Sequence, residues 1–583
     1  MERVRKELIE KLPEPFGFYR HILKGDHLHF GLWPDDGSAL PMEDAQQEMF
    51  TMLLSFFPKP PALVLDVGCG LGLSAALLSE RGYRVTAIAP SEELIDYAVA
   101  AYGDSGADYR TLGFFDDDEE VFQAGRYDIL FFQESAQYLH PLGDMLRKAR
   151  TLLKDNGVLV LGDEVCYEAA IKSETAVHLS SEFTIAFAEH GFRVAENLRL
   201  GKRVSPTCDF VIQRFSEDAD DIVSASGRAD SVEKLRYFLD GWKKQKGWYE
   251  QGQMGYEVFV GKKDGFFIRA YTAGDEDTIL PLFNKVFGVT RTMEHWHWKF
   301  RDNPYGSHRI AEAFSAEGAL VAHYAGYPIP FFLSVDTSST FLSCQIGDTM
   351  TSPSVRNVGL GKTGLLARIA HYFYAKFGHG AMPFIYGFNT GNIRKLGTRY
   401  LGYEYIDPVT YWTRNLSESP MRRPSFLLRL LSGLSAEEVH STNAEWDDLF
   451  RRVAPAYRLL VRRDAEYIKW RYLDCPDRIH RVFAVRKWGR LAGWSVFAVR
   501  GDRLIWGDAL FDKECPGAVS FLLHNLHESF PGIAAVEGWF SRHPAWWEAI
   551  LKENGFAAGP EPNELTPGFV IFQNGDTRHH LQD

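Results

Sequence analysis

Val64-Leu65-Asp66-Val67-Gly68-Cys69-Gly70-Leu71-Gly72 decides how the first part of the chain is read. Apolar residues at 62 to 65 predict a buried strand, three glycines at alternate positions a tight turn, and Ser74 to Ser79 the opening of a helix. Strand, turn and helix N-terminus together let a backbone lie close against a nucleotide-like ligand. The surrounding text alternates in the same way. It predicts strands at 62–67, 84–89, 127–132 and 157–162, with helices at 73–81, 92–102 and 142–153. Such alternation implies a parallel sheet covered on both faces, whose ligands sit at the carboxyl ends of the strands. Gly68, Gly70 and Gly72 lie at one such end, and the segment Gln133 to His140 at another. The G-x-G-x-G spacing with a preceding Asp disfavours a dinucleotide-binding domain, which would carry G-x-G-x-x-G.

The chain of 583 residues is too long for one ordinary core. Hydrophobic residues at 45% and aromatics at 14% place it among globular proteins. Lys and Arg number 64 against 77 Asp and Glu, a net charge of −13, which argues against a broad nucleic-acid surface. The six cysteines (69, 166, 208, 344, 475 and 515) form no C-x-x-C pair, so neither a disulfide framework nor a structural metal site is expected. No apolar run reaches the roughly 18 residues that span a bilayer. Met1 to Leu12 is charged throughout and unlike a signal peptide, so a soluble cytoplasmic protein is expected. The oligomeric state is left open.

Tyr19, His21, His27, His29, Phe30 and Trp33 crowd an N-terminal arm that is either packing or a lid over a ligand. Lys262 to Gly265 reads as a domain boundary. Beyond it the chain repeats itself. Trp298-Lys299-Phe300-Arg301-Asp302-Asn303-Pro304 matches Trp470-Arg471-Tyr472-Leu473-Asp474-Cys475-Pro476 at an offset of 172, and Arg309 and Arg481 keep that offset. A tandem duplication of one α/β unit explains this, with 416–445 as a Pro- and Ser-rich connector.

The first part resembles the class I S-adenosylmethionine-dependent methyltransferases. Asp66-Val67-Gly68-Cys69-Gly70-Leu71-Gly72 matches that family's acidic-x-Gly-x-Gly-x-Gly signature. Tyr127-Asp128-Ile129-Leu130 and Leu152 to Gly157, followed by Gly162-Asp163-Glu164, resemble its fourth strand and its turn into the fifth. His27 to Trp33 is similar to the arm of small-molecule methyltransferases acting on amines. The resemblance implies a Rossmann-like domain over 1–262 that binds S-adenosyl-L-methionine. Asp66, Gly68, Gly70 and Gly72 would cradle the methionine part, Asp116 or Asp117 would approach the adenine amine, and Gln133 would border the methyl-donor centre. Candidates to orient or deprotonate an acceptor are His27, His29, Glu134, Tyr138 and His140. Ala89 stands where an acidic residue usually binds the ribose, so either Ser91 or Glu92 substitutes or cofactor affinity is reduced. An unmade charged hydrogen bond costs about 1.5–3 kcal/mol.

Residues 265 onward resemble a tandem pair from the GNAT acyltransferase superfamily. Gln345 to Pro353 followed by Arg356-Asn357-Val358-Gly359-Leu360-Gly361 fits that superfamily's R-x-x-G-x-G signature between a strand and a helix. The resemblance implies a GNAT-like domain over 265–415 whose Arg356, Gly359 and Gly361 hold the pyrophosphate of acetyl-CoA or another acyl-CoA. Asn389 and Asn392 would contact its pantetheine or phosphate end. Asp348 is the implied base or amine-orienting group, and Tyr400 or Tyr403 the thiolate acid, Tyr400 preferred. The second copy, 446–583, lacks the glycine signature and is expected to be a non-catalytic partner. The fusion suggests a bifunctional tailoring enzyme that methylates and N-acylates a small amine-bearing metabolite. Two readings stay open beside it: a methyltransferase with the GNAT-like units as scaffold, and a binding protein with both centres degenerate.

Overall fold

β1 (Leu63–Val67) is an almost uninterrupted apolar run because both of its faces are covered, and it runs through the middle of a sheet. The computed structural model describes residues 7–175, 177–218, 231–334, 339–356, 358, 361–418, 431–477 and 479–572. They fall into two compact units, Met1–Arg269 with Phe314–Gly318, and the remainder. In the first unit the other strands are β2 (Arg84–Ala89), β3 (Asp108–Thr111), β4 (Tyr127–Gln133), β5 (Leu153–Cys166), β6 (Phe192–Arg199) and β7 (Met254–Lys263). Their order is β3-β2-β1-β4-β5-β7-β6. Pairs from β3 to β5 are parallel, and β7 is antiparallel to both β5 and β6. β5 is longer than expected because its far half pairs with β7, from Val158↔Lys262 to Cys166↔Met254.

Alternate residues of each strand feed two cores. Val64, Ile129, Phe131 and Val160 face one side, with Met49, Phe50 and Leu53 of α2 (Met42–Leu54) and Ala75 and Leu78 of α3 (Leu73–Glu80). Leu65, Val67, Leu130 and Phe132 face the other. There α5 (Leu142–Leu152) buries Leu142, Met145, Leu146, Ala149 and Leu152, one stripe at helical spacing, beside Phe183 and Phe187 of α6 (Ser180–Glu189). Between these lies α4 (Glu92–Tyr102), which packs against β2 and β3. Chain direction through the sheet reverses between β1 and β4, so a crevice opens at their carboxyl ends. Three helices cap it: α1 (Phe16–Leu23), α7 (Pro206–Glu217) and α8 (Ser231–Glu250). They share a small core of Phe18, Ile22, Val211, Phe215 and Leu235. No described helix is long and apolar enough to cross a membrane.

The second unit holds two mixed sheets that exchange strands. One carries β8 (Leu320–Leu333), β9 (Ser339–Thr351), β10 (Phe384–Asn389), β11 (Glu404–Tyr405) and, from the far end of the chain, β19 (Thr566–Ile571). The other carries β13 (Leu434–Val439), β14 (Arg481–Lys487), β15 (Arg490–Arg500), β16 (Arg503–Phe511), β17 (Ala535–Trp539), β18 (Ala557–Pro560) and, from the first half, β12 (Thr410–Asn415). β19 inserts between β10 and β11, and β12 between β17 and β18. Each half therefore completes the sheet of the other. Trp412 of β12 is fully buried in the second half's core beside Trp506 and Trp547. Part of the expected connector is structured: β13, inside 416–445, pairs with β14, while 419–430 lies outside the described residues.

The repeated tryptophans sit on a local two-fold axis. Trp298 and Trp470 stack at 5.5 Å, and each ring N–H donates to the other's carbonyl, at 2.7 and 3.1 Å. The same 172-residue spacing relates Arg291 to Arg463 and Lys299 to Arg471. Arg291 pairs with Asp348, and Arg463 pairs with Asp508 at 2.9 Å, each aspartate following a glycine on the equivalent strand. Trp470→Ala removes a stacked, hydrogen-bonded ring from the core shared by both halves. It is expected to cost about 3–5 kcal/mol in equilibrium denaturation followed by fluorescence.

Candidate active site

The three glycines of the loop after β1 serve different ends. All have positive φ, +79° at Gly68, +55° at Gly70 and +86° at Gly72. A side chain at Gly68 would meet Ser135 Cβ at 2.5 Å, and one at Gly72 would meet Ala98 Cβ at 2.6 Å, so these two let β4 and α4 pack closely. At Gly70 the nearest neighbour is Leu28 at 3.8 Å, leaving open space in front of the backbone. The amides of Gly68 and Cys69 are spent on Ile88 O, which fixes the turn.

In front of the loop is a cavity of about 270 Å³. Asp66, Gly68 and Gly70 line one side, Gln133, Glu134 and Tyr138 the middle, and Glu164, Tyr19, Phe30, Trp242 and Gln245 the other. Asp66 Oδ2 and Gln133 Nε2 are buried without a hydrogen-bond partner. Burial pushes Asp66 up to about 7 and Glu164 up to about 7, although Tyr249 Oη donates to Glu164 at 2.8 Å. Glu134 is raised well above the usual carboxylate range by burial, and its Oε1 accepts the Phe30 amide at 2.8 Å. Asp163, also pushed up by burial, to about 8, accepts the Gln137 amide at 2.9 Å and fixes the loop after β4.

His27 and His29 form a hydrogen-bonded relay on the cavity wall. His29 Nδ1 donates to Phe30 O at 2.9 Å, which leaves His29 Nε2 as an acceptor, and His27 Nδ1 lies 3.1 Å from it. One carbonyl thus sets both tautomers, and His27 Nε2 is left as an acceptor. Burial lowers His27 to about 4 and His29 to about 3, so both rings are neutral at neutral pH. Gln46 Nε2 donates to both backbone carbonyls, at 2.9 and 2.8 Å, and holds the arm in place.

A family profile described as a methyltransferase domain matches residues 42–179. The chain is 28% identical over 144 residues to a 27-O-demethylrifamycin SV methyltransferase of Amycolatopsis mediterranei, covering 24% of this chain and 52% of that protein. It is 31% identical over 131 residues to a ubiquinone biosynthesis O-methyltransferase of Xanthomonas axonopodis pv. citri, covering 22% and 54%. The N-terminal region is a class I S-adenosylmethionine-dependent methyltransferase domain. The chain spans about half the length of these curated relatives. Among solved structures, the cyclopropane synthase MmaA2 of Mycobacterium tuberculosis aligns with a TM-score of 0.36 at 14% identity, covering 44% of this chain and 98% of that one. For geranyl diphosphate C-methyltransferase of Streptomyces coelicolor the TM-score is 0.32 at 18% identity, covering 43% and 100%.

Within the methyltransferase domain, Asp66, Gly68, Gly70, Gln133, His27, His29, Glu134 and Tyr138 line the one cavity. Gly72 instead starts α3. Ser91 does not face the cavity. Its hydroxyl accepts from the Leu94 amide and donates to Glu93 Oε2 at 2.7 Å, capping α4. Asp116 is exposed and closes a surface turn through the Gly113 amide, away from the cavity. His140 is exposed and packs on the His178 ring at 4.4 Å, also away from the cavity. Sequence reasoning missed Glu164 as a site residue, and with it Trp242 and Gln245, which reach the cavity from the cap beside Tyr19 of the expected lid segment.

In the second unit, α10 (Gly391–Tyr400) follows α9 (Leu365–Phe373) and β10. Gly361 has φ +69°, and a side chain there would meet the Tyr400 ring at 3.1 Å, so loop and tyrosine are neighbours. Arg356 is exposed, with Nε 3.3 Å from Thr351 O. Asn389 donates to Tyr405 Oη at 2.9 Å, and Asn392 lies in α10. Gly359 lies outside the described residues. Asp348 corrects the expectation of a general base. Lys299 Nζ at 3.1 Å and the Arg291 guanidinium hold its carboxyl far below the usual range, so it is a poor proton acceptor. The same pair recurs as Arg463–Asp508 in the half without a glycine signature, which marks it as framework.

The buried carboxyls give the methyltransferase domain a distinctive pH response. Asp66, Asp163 and Glu164 hold protons up to about pH 7–8, whereas unfolded carboxyls release theirs near about pH 4. The native state therefore binds more protons, and stability falls as pH rises. The neutral histidines act oppositely, but their window closes at the unfolded value of about 6.5. Between pH 6.5 and 8 the thermal midpoint of the ligand-free protein is expected to fall, each carboxyl contributing up to about 1.4 kcal/mol per pH unit. A flat or rising midpoint in differential scanning calorimetry across that interval would contradict this.

Proposed function

We propose that this chain is a bifunctional tailoring enzyme that joins S-adenosylmethionine-dependent methyl transfer to acyl-CoA-dependent N-acyl transfer on a small amine-bearing metabolite. The observation that carries the first activity is a cavity bordered by an open glycine turn and an unpaired, buried Asp66. The residues present fit the cofactor: Gly70 leaves room for its backbone approach, Asp66 Oδ2 is free to accept from its ammonium, and Gln133 Nε2 is free to donate. S-Adenosylmethionine supplies an electrophilic methyl group when bound. The chain's own residues bind and orient, exclude water with Phe30 and Trp242, and keep His27 and His29 neutral so that they do not repel a cation.

The acyl-transfer half is supported by strand order. In each sheet of the second unit one central pair is parallel, β9 with β10 and β16 with β17. The β9–β10 register lasts only from Cys344↔Ile385 to Gln345↔Tyr386, before Gly347, and the sequence signature Arg356 to Gly361 follows β9. Two strands that part ahead of Gly361, which has positive φ, suit an extended thioester whose pyrophosphate meets backbone amides. In this reading Tyr400, packed on Gly361, would protonate a leaving thiolate. One observation favours a second reading, with the GNAT-like unit binding but not reacting: Asp348 is fully engaged by Arg291 and Lys299.

Calorimetry separates the two. Micromolar binding of both S-adenosylmethionine and acetyl-CoA is expected, with Gly70→Arg abolishing the first heat and leaving the second. Binding of S-adenosylmethionine alone selects the scaffold reading, and loss of both heats in Gly70→Arg contradicts two independent sites.

A further inference from the structure

We infer that the methyl acceptor is a nitrogen base, held as its ammonium in an aromatic cage of Tyr19, Phe30 and Trp242 and handing its proton to Glu164. This rests on the methyl-transfer reading and names its acceptor. No lysine or arginine lines the cavity among the described residues, and none pairs with Asp66, Glu134 or Glu164. By contrast Asp26, on the same wall, is met by the Arg20 guanidinium and by Tyr97 and Tyr102. The uncompensated carboxyls therefore stand where ligand charge is to come.

They divide between two ligands by strand position. Asp66 ends β1, beside the glycine turn, and belongs to the cofactor. Glu164 lies on β5, two strands away across β4, which at about 4.8 Å per strand is roughly 10 Å further along the crevice. Around Glu164 the wall is aromatic. Trp242 meets Tyr19 edge-on at 6.0 Å and Phe30 at 5.6 Å, presenting π-faces and edges about one small volume. Ring faces attract a desolvated cation, and Glu164 is fixed by Tyr249 Oη and Gln245 Nε2, both on its Oε1, so Oε2 is left for the ligand. A neutral hydroxyl acceptor could use the carboxylate as a base but would bring no cation for the aromatic faces to meet.

The step balances. The N–H bond of the ammonium breaks, its proton passes to Glu164 and its electron pair stays on nitrogen. That lone pair then forms the nitrogen–carbon bond while the carbon–sulfur bond breaks and its electrons remain on sulfur.

Calorimetry on the full chain saturated with S-adenosylhomocysteine tests this with three probes: choline, its neutral isostere 3,3-dimethylbutan-1-ol, and 2-dimethylaminoethanol, which carries an N–H. Choline is expected to bind about tenfold or more tighter than the neutral alcohol. Trp242→Leu should weaken both amines alike. Glu164→Gln should cost 2-dimethylaminoethanol about tenfold and choline less, while the heat of S-adenosylhomocysteine is unchanged. Equal binding of choline and its isostere, or unchanged amine binding in Glu164→Gln, overturns the inference. Absence of any heat with S-adenosylhomocysteine overturns the methyl-transfer reading on which it stands.

Discussion

A carboxylate taken out of water must find a partner or keep its proton, and both units of this chain are organised by how they meet that demand. In the methyltransferase domain the demand is left unmet. Asp66, Glu134 and Glu164 are buried at the carboxyl ends of β1, β4 and β5 with only neutral donors beside them, and burial raises all three. The neighbouring histidines are neutral and tautomer-fixed, so they add no charge. What results is a small cavity with aromatic side chains on its wall and buried carboxyls that no basic side chain among the described residues pairs with.

The second unit meets the same demand internally. Asp348 and Asp508 are each clamped by an arginine from the preceding repeat motif, and Asp348 takes Lys299 as well. Lys299 and Arg291 hold the Asp348 carboxyl well below the usual range, so it has no capacity to spare for a proton. The tandem halves are further bound by reciprocal strand exchange and by the Trp298–Trp470 stack. Their contribution is a shared frame around the parting strands β9 and β10.

Much of this was legible in the residues. Asp66 to Gly72 carries its fold with it, because a strand, three turn glycines and a helix start leave little else for that text to be; Gln133 and Glu134 follow from where a strand ends, and His27 and His29 from the His- and Tyr-rich N-terminal arm. A polar residue at the expected distance from a strand reads alike whether it faces a ligand, caps a helix as Ser91 caps α4, or closes a surface turn as Asp116 does. Glu164 and Trp242 were not singled out for this site because they meet Tyr19 only when α1 and α8 close over the sheet, and no spacing in sequence encodes that meeting. Strand exchange was equally invisible, since alternation in β12 and β19 states which face is buried but not which sheet receives it. Asp348 looked like a base for the same reason: its arginine lies 57 residues away and is seen only in the fold.

The claim on which the rest depends is that Asp66 waits, protonated, for a cation. Titrating S-adenosylmethionine into the protein at pH 6.5, in buffers of different ionisation enthalpy, counts the protons exchanged on binding. With Asp66 near 7 in the free protein, net proton release is expected as the cofactor's charge drives the carboxyl to ionise. Binding with no proton released, or with protons taken up, would show that the cavity's charge is already balanced and would contradict the account.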